Sequence, residues 1–114
     1  MCNSQIYAEK VRTLNDLLRT TLHPNCGRVV LTQGVNSLGQ EKVSEILQAV
    51  REFTEFTQDN DPHMEHDFGA PVVDGQKIFW KIDYYDKALK HGSEDPSNPE
   101  ITTRVLTIML PEEY

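Results

Sequence analysis

Two short runs carry the side chains best suited to chemistry. The first is His63-x-Glu65-His66-Asp67. Imidazoles and carboxylates are ligands for zinc, manganese or iron. On an extended chain His63, Glu65 and Asp67 share one side and His66 takes the other. The second run is Lys81-x-Asp83-x-Tyr85. An ammonium, a carboxylate and a phenol in line on one strand face can serve proton transfer. The catalytic reading takes Glu65, His66, Asp67, Lys81, Asp83 and Tyr85. The metal reading takes His66, Glu65, Asp67 and Asp83 as ligands of a divalent metal, with Asp86 near the same strand. Neither run has the helical spacing of a zinc-protease motif, in which two histidines four apart share a face. Each also has a structural reading. Asp59, Asp61 and Asp67 suit turn capping, and His66 suits a half-buried, hydrogen-bonded position. Lys81 and Asp83 suit pairing on a solvated sheet face.

The element that must position both runs is a hairpin. Asp74-Gly75 is a strong signal for a two-residue turn, joining a strand entered between His66 and Val73 to a return strand over 76–85. Alternation along the return strand puts Ile78, Trp80, Ile82 and Tyr84 on the core face, and Phe79, Lys81, Asp83 and Tyr85 on the other. The turn sets Asp67 opposite Ile82 and His66 opposite Asp83, so a His66–Asp83 hydrogen bond is expected. Gly69 reads as a bulge or turn. Asp67-Phe68-Gly69 matches a kinase magnesium motif only by chance, since no glycine-rich loop or catalytic loop accompanies it.

The remaining elements read as scaffold. Residues 4–21 have helical periodicity through Ile6 or Tyr7, Val11, Leu14, Leu17, Leu18 and Leu22. Asn3 or Ser4 caps the start, and Glu9, Lys10, Arg12, Asp16 and Arg19 form the opposite face. Residues 28–32 form a short β-branched strand. Ser37 and Gln40 have capping-box spacing before a second helix over about 38–56, with Val43, Ile46, Leu47, Val50, Phe53 and Phe56 on its stripe. Residues 92–100 form an acidic, proline-rich loop. Residues 101–110 are apolar on both faces, as a central strand requires. The order is α-β-α-β-β-β: an α+β fold with two helices on one face of a mostly antiparallel sheet, in a single domain spanning 1–114.

The formal net charge of −7 opposes binding to nucleic-acid phosphates; it suits simple solubility first, and also a cation-binding site or docking onto a basic protein surface. No apolar run is long enough to span a membrane, and residues 1–12 lack the apolar core of a signal peptide. Cys2 and Cys26 are too few for a disulfide framework and match no zinc spacing. The expectation is a cytoplasmic protein with reduced thiols.

The stretches MEHDFG (64–69), FWKIDYYD (79–86), SEDP (93–96), TRVLTIML (103–110) and EEY (112–114) together resemble the bacterial domain-of-unknown-function family 3768. LNDLLR (14–19) and LTQGV (31–35) fit it as well. The resemblance implies a small stand-alone cytosolic protein of a family often carried on mobile elements, and it brings no known activity. The family usually reads Tyr-Gly where this chain has His63-Met64, which detaches His63 from any shared mechanism. Two functional readings follow. One is a protein-binding or regulatory accessory module. The other is a small metal-assisted hydrolase built on Glu65, His66, Asp67, Lys81 and Asp83.

Overall fold

A computed structural model describes the backbone of residues 3–114 and the side chains of residues 5–114. Cys2, and the capping of the first helix by the Asn3 or Ser4 side chain, lie outside what is described. The chain forms α1 (Asn3–Thr21), β1 (Arg28–Leu31), a one-turn α2 (Gln33–Asn36) and α3 (Gln40–Glu52). An irregular segment then leads to β2 (Phe68–Gly69), β3 (Val72–Val73), β4 (Gln76–Lys77), β5 (Phe79–Tyr85) and β6 (Thr103–Met109), followed by a 3₁₀ turn (Pro111–Glu113). The architecture is α+β. Four strands form a sheet in the order β1-β6-β5-β2, and β3-β4 form a separate two-stranded ribbon. The sheet is mostly antiparallel, with one parallel pair, β1 and β6.

One core cluster joins Leu18 of α1 and Ile46 and Val50 of α3 to Trp80, Ile82, Leu106 and Ile108 of the two central strands. Both long helices therefore pack on the same sheet face. Alternation along β5 and β6 is as expected from the sequence: Trp80, Ile82, Leu106 and Ile108 are at most 3% exposed. Their neighbours Lys81, Asp83, Val105 and Thr107, on the other face, stay only half-buried.

The differences from the sequence expectation have local causes. Residues 33–36 coil into α2 because the Thr32 hydroxyl accepts from the Val35 amide, and the turn delivers Val35 to the core. The Ser37–Gln40 capping box does not form. The Ser37 hydroxyl donates back to the Gln33 carbonyl at 2.7 Å. Gly39, at φ +98, takes the N-cap of α3, a conformation open to glycine. Helix α3 stops at Glu52, not Phe56, because Phe53 turns extended. Phe53 and Phe56 still pack on the core, from the loop.

The first arm of the hairpin is broken into β2 and β3 at Ala70-Pro71. Pro71 has no amide to donate, but its carbonyl accepts from Ile78 at 2.9 Å. The turn itself is as expected, with Asp74 at φ +51 and Gly75 at φ +80. Its register continues through both pieces, from Val73↔Gln76 to Phe68↔Lys81.

In helix α1, Leu17 and Ile6 are exposed although their spacing placed them on the apolar stripe. Conversely Arg19, expected on the solvent face, is 4% exposed, and Asn15 is fully buried.

Gly69 is neither a bulge nor a turn. It pairs with Trp80 across the sheet, and the indole lies where a side chain would be: a Cβ at 69 would sit 2.4 Å from Trp80 Nε1. Gly69→Ala should therefore destabilise the fold by about 1–3 kcal/mol through overpacking. Urea unfolding measures this, and an unchanged midpoint would contradict the close packing.

Candidate functional site

Helix α1 fastens residues 53–67 along its length with polar groups that emerge from successive turns. Arg12 Nη1 donates to the Met64 carbonyl (3.1 Å) and Asn15 Nδ2 to the Glu65 carbonyl (2.9 Å). Asp16 faces His66 Nδ1 at 3.0 Å. Arg19 donates to the carbonyls of Val50 (2.9 Å) and Phe53 (2.8 Å) and pairs with Asp16 at 3.0 Å. These contacts satisfy backbone groups at the end of α3 and in the following loop, which have no ladder partner.

His66 is the hub of the first cluster. Its backbone amide and that of Glu65 donate to Asp61 Oδ1 at 3.1 and 3.0 Å. Its ring stacks on Phe56, with centroids 3.7 Å apart. The two ring nitrogens face carboxylates on opposite sides, Asp16 at 3.0 Å and Asp61 at 3.7 Å. A cavity of about 320 Å³ opens beside Phe56, Asp61, Pro62, Met64 and His66.

The expected His66–Asp83 hydrogen bond is absent. Asp67 does stand opposite Ile82, whose amide donates to its carbonyl at 2.9 Å. One residue earlier the chain leaves the sheet, with His66 at φ +55 and Met64 at φ +58. The two amides gathered by Asp61 hold that bend, so the His66 side chain turns to α1. Asp83 pairs with Lys81 instead, on the far face of the sheet.

A second cluster surrounds Tyr84. Its hydroxyl donates to Glu65 Oε1 (2.9 Å) and accepts from Asn15 Nδ2 (2.8 Å), while Asn15 Oδ1 accepts from Arg104 Nε (2.8 Å). Burial pushes the Tyr84 phenol far above its ordinary range. The Arg104 guanidinium lies over the Tyr84 ring at 5.2 Å and is lowered in pKa by burial. Burial, followed by the nearby Glu65 charge, raises the Asp67 carboxyl.

The six catalytic candidates are thus divided. Glu65 and His66 join separate clusters under α1, and Asp67 is half-buried between the loop and the sheet. Lys81 and Asp83 pair on the open face, which Tyr85 shares. Of the metal candidates, His66, Glu65 and Asp83 are committed to different partners. Among the described residues no group of three or more His, Cys, Asp and Glu side chains is arranged to hold a metal ion. Asp86 accepts from the Lys90 amide at 3.0 Å, closing a turn. His63 is exposed. The 92–100 loop is tied down through Ser93 and Thr102, whose hydroxyls meet at 2.6 Å.

Sequence reasoning missed Asn15, Asp16, Arg19, Tyr84 and Arg104 as site residues. A signal existed for Asn15, a polar residue on an apolar helical stripe, four after Val11 and three before Leu18. Arg104 likewise shares a strand face with Leu106 and Ile108. Nothing local marked Asp16.

The site thus belongs to an α+β protein with polar clusters locked between a helix and a loop, and an open sheet face behind them. Residues 31–113 match the profile of the family described as a protein of unknown function (DUF3768), and the chain belongs to that family. The match leaves α1, with the LNDLLR stretch, outside its bounds. No curated protein and no solved structure matches the chain.

The Asp67 carboxyl titrates higher when folded than unfolded, so its ionisation opposes folding. Asp67→Asn should raise Tm near neutral pH. The gain should shrink as pH falls through the raised folded value and vanish below the ordinary carboxylate value of 3.8. Thermal melts across that range test this; a gain independent of pH would refute the assignment.

Proposed function

We propose that this protein is a protein-binding, regulatory accessory module whose recognition surface is the uncovered face of the sheet. The observation that supports this reading is the contrast between the two faces. The helix-side residues of β5 and β6 are sealed in the core. On the other side Phe79, Tyr85, Val105 and Thr107 remain half-buried, and Val30 of β1 is 43% exposed. A solvated antiparallel face ordinarily alternates to polar residues, whereas this one sets Phe79, Tyr85, Val105 and Val30 among Lys81, Asp83, Thr103, Thr107 and Arg28. Such patches mark interaction sites, and aromatic residues are enriched in interface centres.

The charge of this face adds to the argument. Lys81 and Asp83 pair with one another at its middle, so they carry little net charge into an interface. The chain as a whole is at −7. The acidic surface steers a basic protein partner, and the sheet face, whose Lys81 and Asp83 offset each other, makes the contact. We place this activity in the cytosol. The free, half-buried thiol of Cys26 suits a reducing compartment, and among the described residues no helix is long and apolar enough to cross a membrane.

Affinity capture with the full chain as bait tests this reading. A partner retained by the natural chain should be lost with Val105→Asp and with Tyr85→Ser. Both positions are half-exposed, and circular dichroism should show the fold intact. A partner retained equally by both variants would place the interface elsewhere.

A further inference from the structure

We propose that the cavity beside the starts of β1 and β6 binds a phosphate-bearing small molecule. The cavity borders the proposed protein-binding face through Arg28 and Thr103, but the proposal does not depend on that reading. The cavity has a volume of about 390 Å³, within the range of small-ligand sites. Its walls come from α1, the loop after it, and the loop between β5 and β6. They include Arg28, Lys87 and Arg104 and no aspartate or glutamate. In a chain with 18 acidic and 11 basic side chains, that is a local reversal of sign.

Arg104 decides the case. It is 3% exposed, and a buried cation is costly without an anionic partner. Arg19, the other buried arginine, has Asp16 at 3.0 Å. Arg104 has no carboxylate in any ion pair among the described residues. Its Nε donates to Asn15 and its Nη2 to the Pro96 carbonyl, both neutral acceptors. Its Nη1 has no hydrogen-bond partner among the described residues. Glu65 acts on it only through the field, because that carboxylate is engaged by the Tyr84 hydroxyl. Arg104 lines the cavity with Arg28 and Lys87, and no carboxylate lining it balances the three, so its field suits an oxyanion.

The remaining lining fits the same ligand. Arg28 and Lys87 are exposed at the rim and bring charge from different elements. Asn25 and Thr103 add neutral donors. Cations converging from separate elements suit a doubly charged, tetrahedral phosphate better than a planar carboxylate. The net charge of −7 opposes a polyanion, which leaves a small molecule rather than nucleic acid.

Inorganic phosphate is the first probe. The full chain, labelled with nitrogen-15, is titrated with sodium phosphate against sodium chloride at matched ionic strength. Saturable shifts are expected at the amides of residues 25–28 and 102–104. Phosphate should also slow alkylation of Cys26, which lines the cavity, read by peptide mass spectrometry so that Cys2 is counted apart. The Arg28→Glu, Lys87→Glu double variant changes only exposed side chains and should weaken phosphate at least about tenfold. An equal response to chloride, shifts confined to other residues, or unchanged affinity in the double variant would overturn the proposal. Acetate binding as tightly as phosphate would overturn the phosphate assignment.

Discussion

The fold depends on one buried cation. Arg19 has its guanidinium against the aromatic rings of Phe56 and Trp80, at 5.3 and 5.4 Å, which themselves meet edge to face, and it collects the carbonyls at the end of α3. Those carbonyls are the negative end of the helix dipole, where a cation is favoured. The same guanidinium pairs with Asp16, and Asp16 holds His66. A single side chain of α1 therefore fixes where α3 ends, where the loop begins and how its histidine turns. A charge in that position survives burial because its Nη1 and Nη2 are engaged by carbonyls and by the Asp16 carboxylate. Its Nε is the exception, buried without a hydrogen-bond partner among the described residues.

The second buried arginine is held differently. Arg104 joins α1 to β6 through Asn15, and Asn15 joins Tyr84 to the loop. These are hydrogen bonds to neutral groups, which specify geometry more than they neutralise charge. Both networks draw their donors and acceptors from α1, which lies outside the residues matched to the family. Within this chain, the matched hairpin and strands are organised by a helix that lies outside the matched residues.

The helices settle the functional division of the sheet. Because both pack on one face, the titratable residues of the long strand separate by alternation. Tyr84 goes inward to a buried network, while Lys81, Asp83 and Tyr85 face outward. Residues adjacent in sequence thus belong to different surfaces and cannot share a reaction centre. That is why a linear cluster of acids, histidines and a lysine disperses in three dimensions.

Much of the frame was legible in the sequence, because it rests on short-range physics. Helical periodicity gave α1 and α3. The Asp74-Gly75 turn, with its positive φ angles, gave the hairpin and its register as far as Asp67 and Ile82. Alternation gave the inward Trp80 and Ile82 and the central position of β6. Family membership was also legible, from stretches that the match covers. What the tertiary structure alone decided were the partners of polar side chains. Asp16 and His66 meet across fifty positions, and Asn15 reaches Arg104 across eighty-nine. No periodicity encodes such pairings, since they exist only once α1 has docked. The same holds for Arg19 and Leu17, whose burial is the reverse of their hydropathy. A buried carbonyl cluster makes a charged side chain the better occupant, and nothing local announces where those carbonyls will lie.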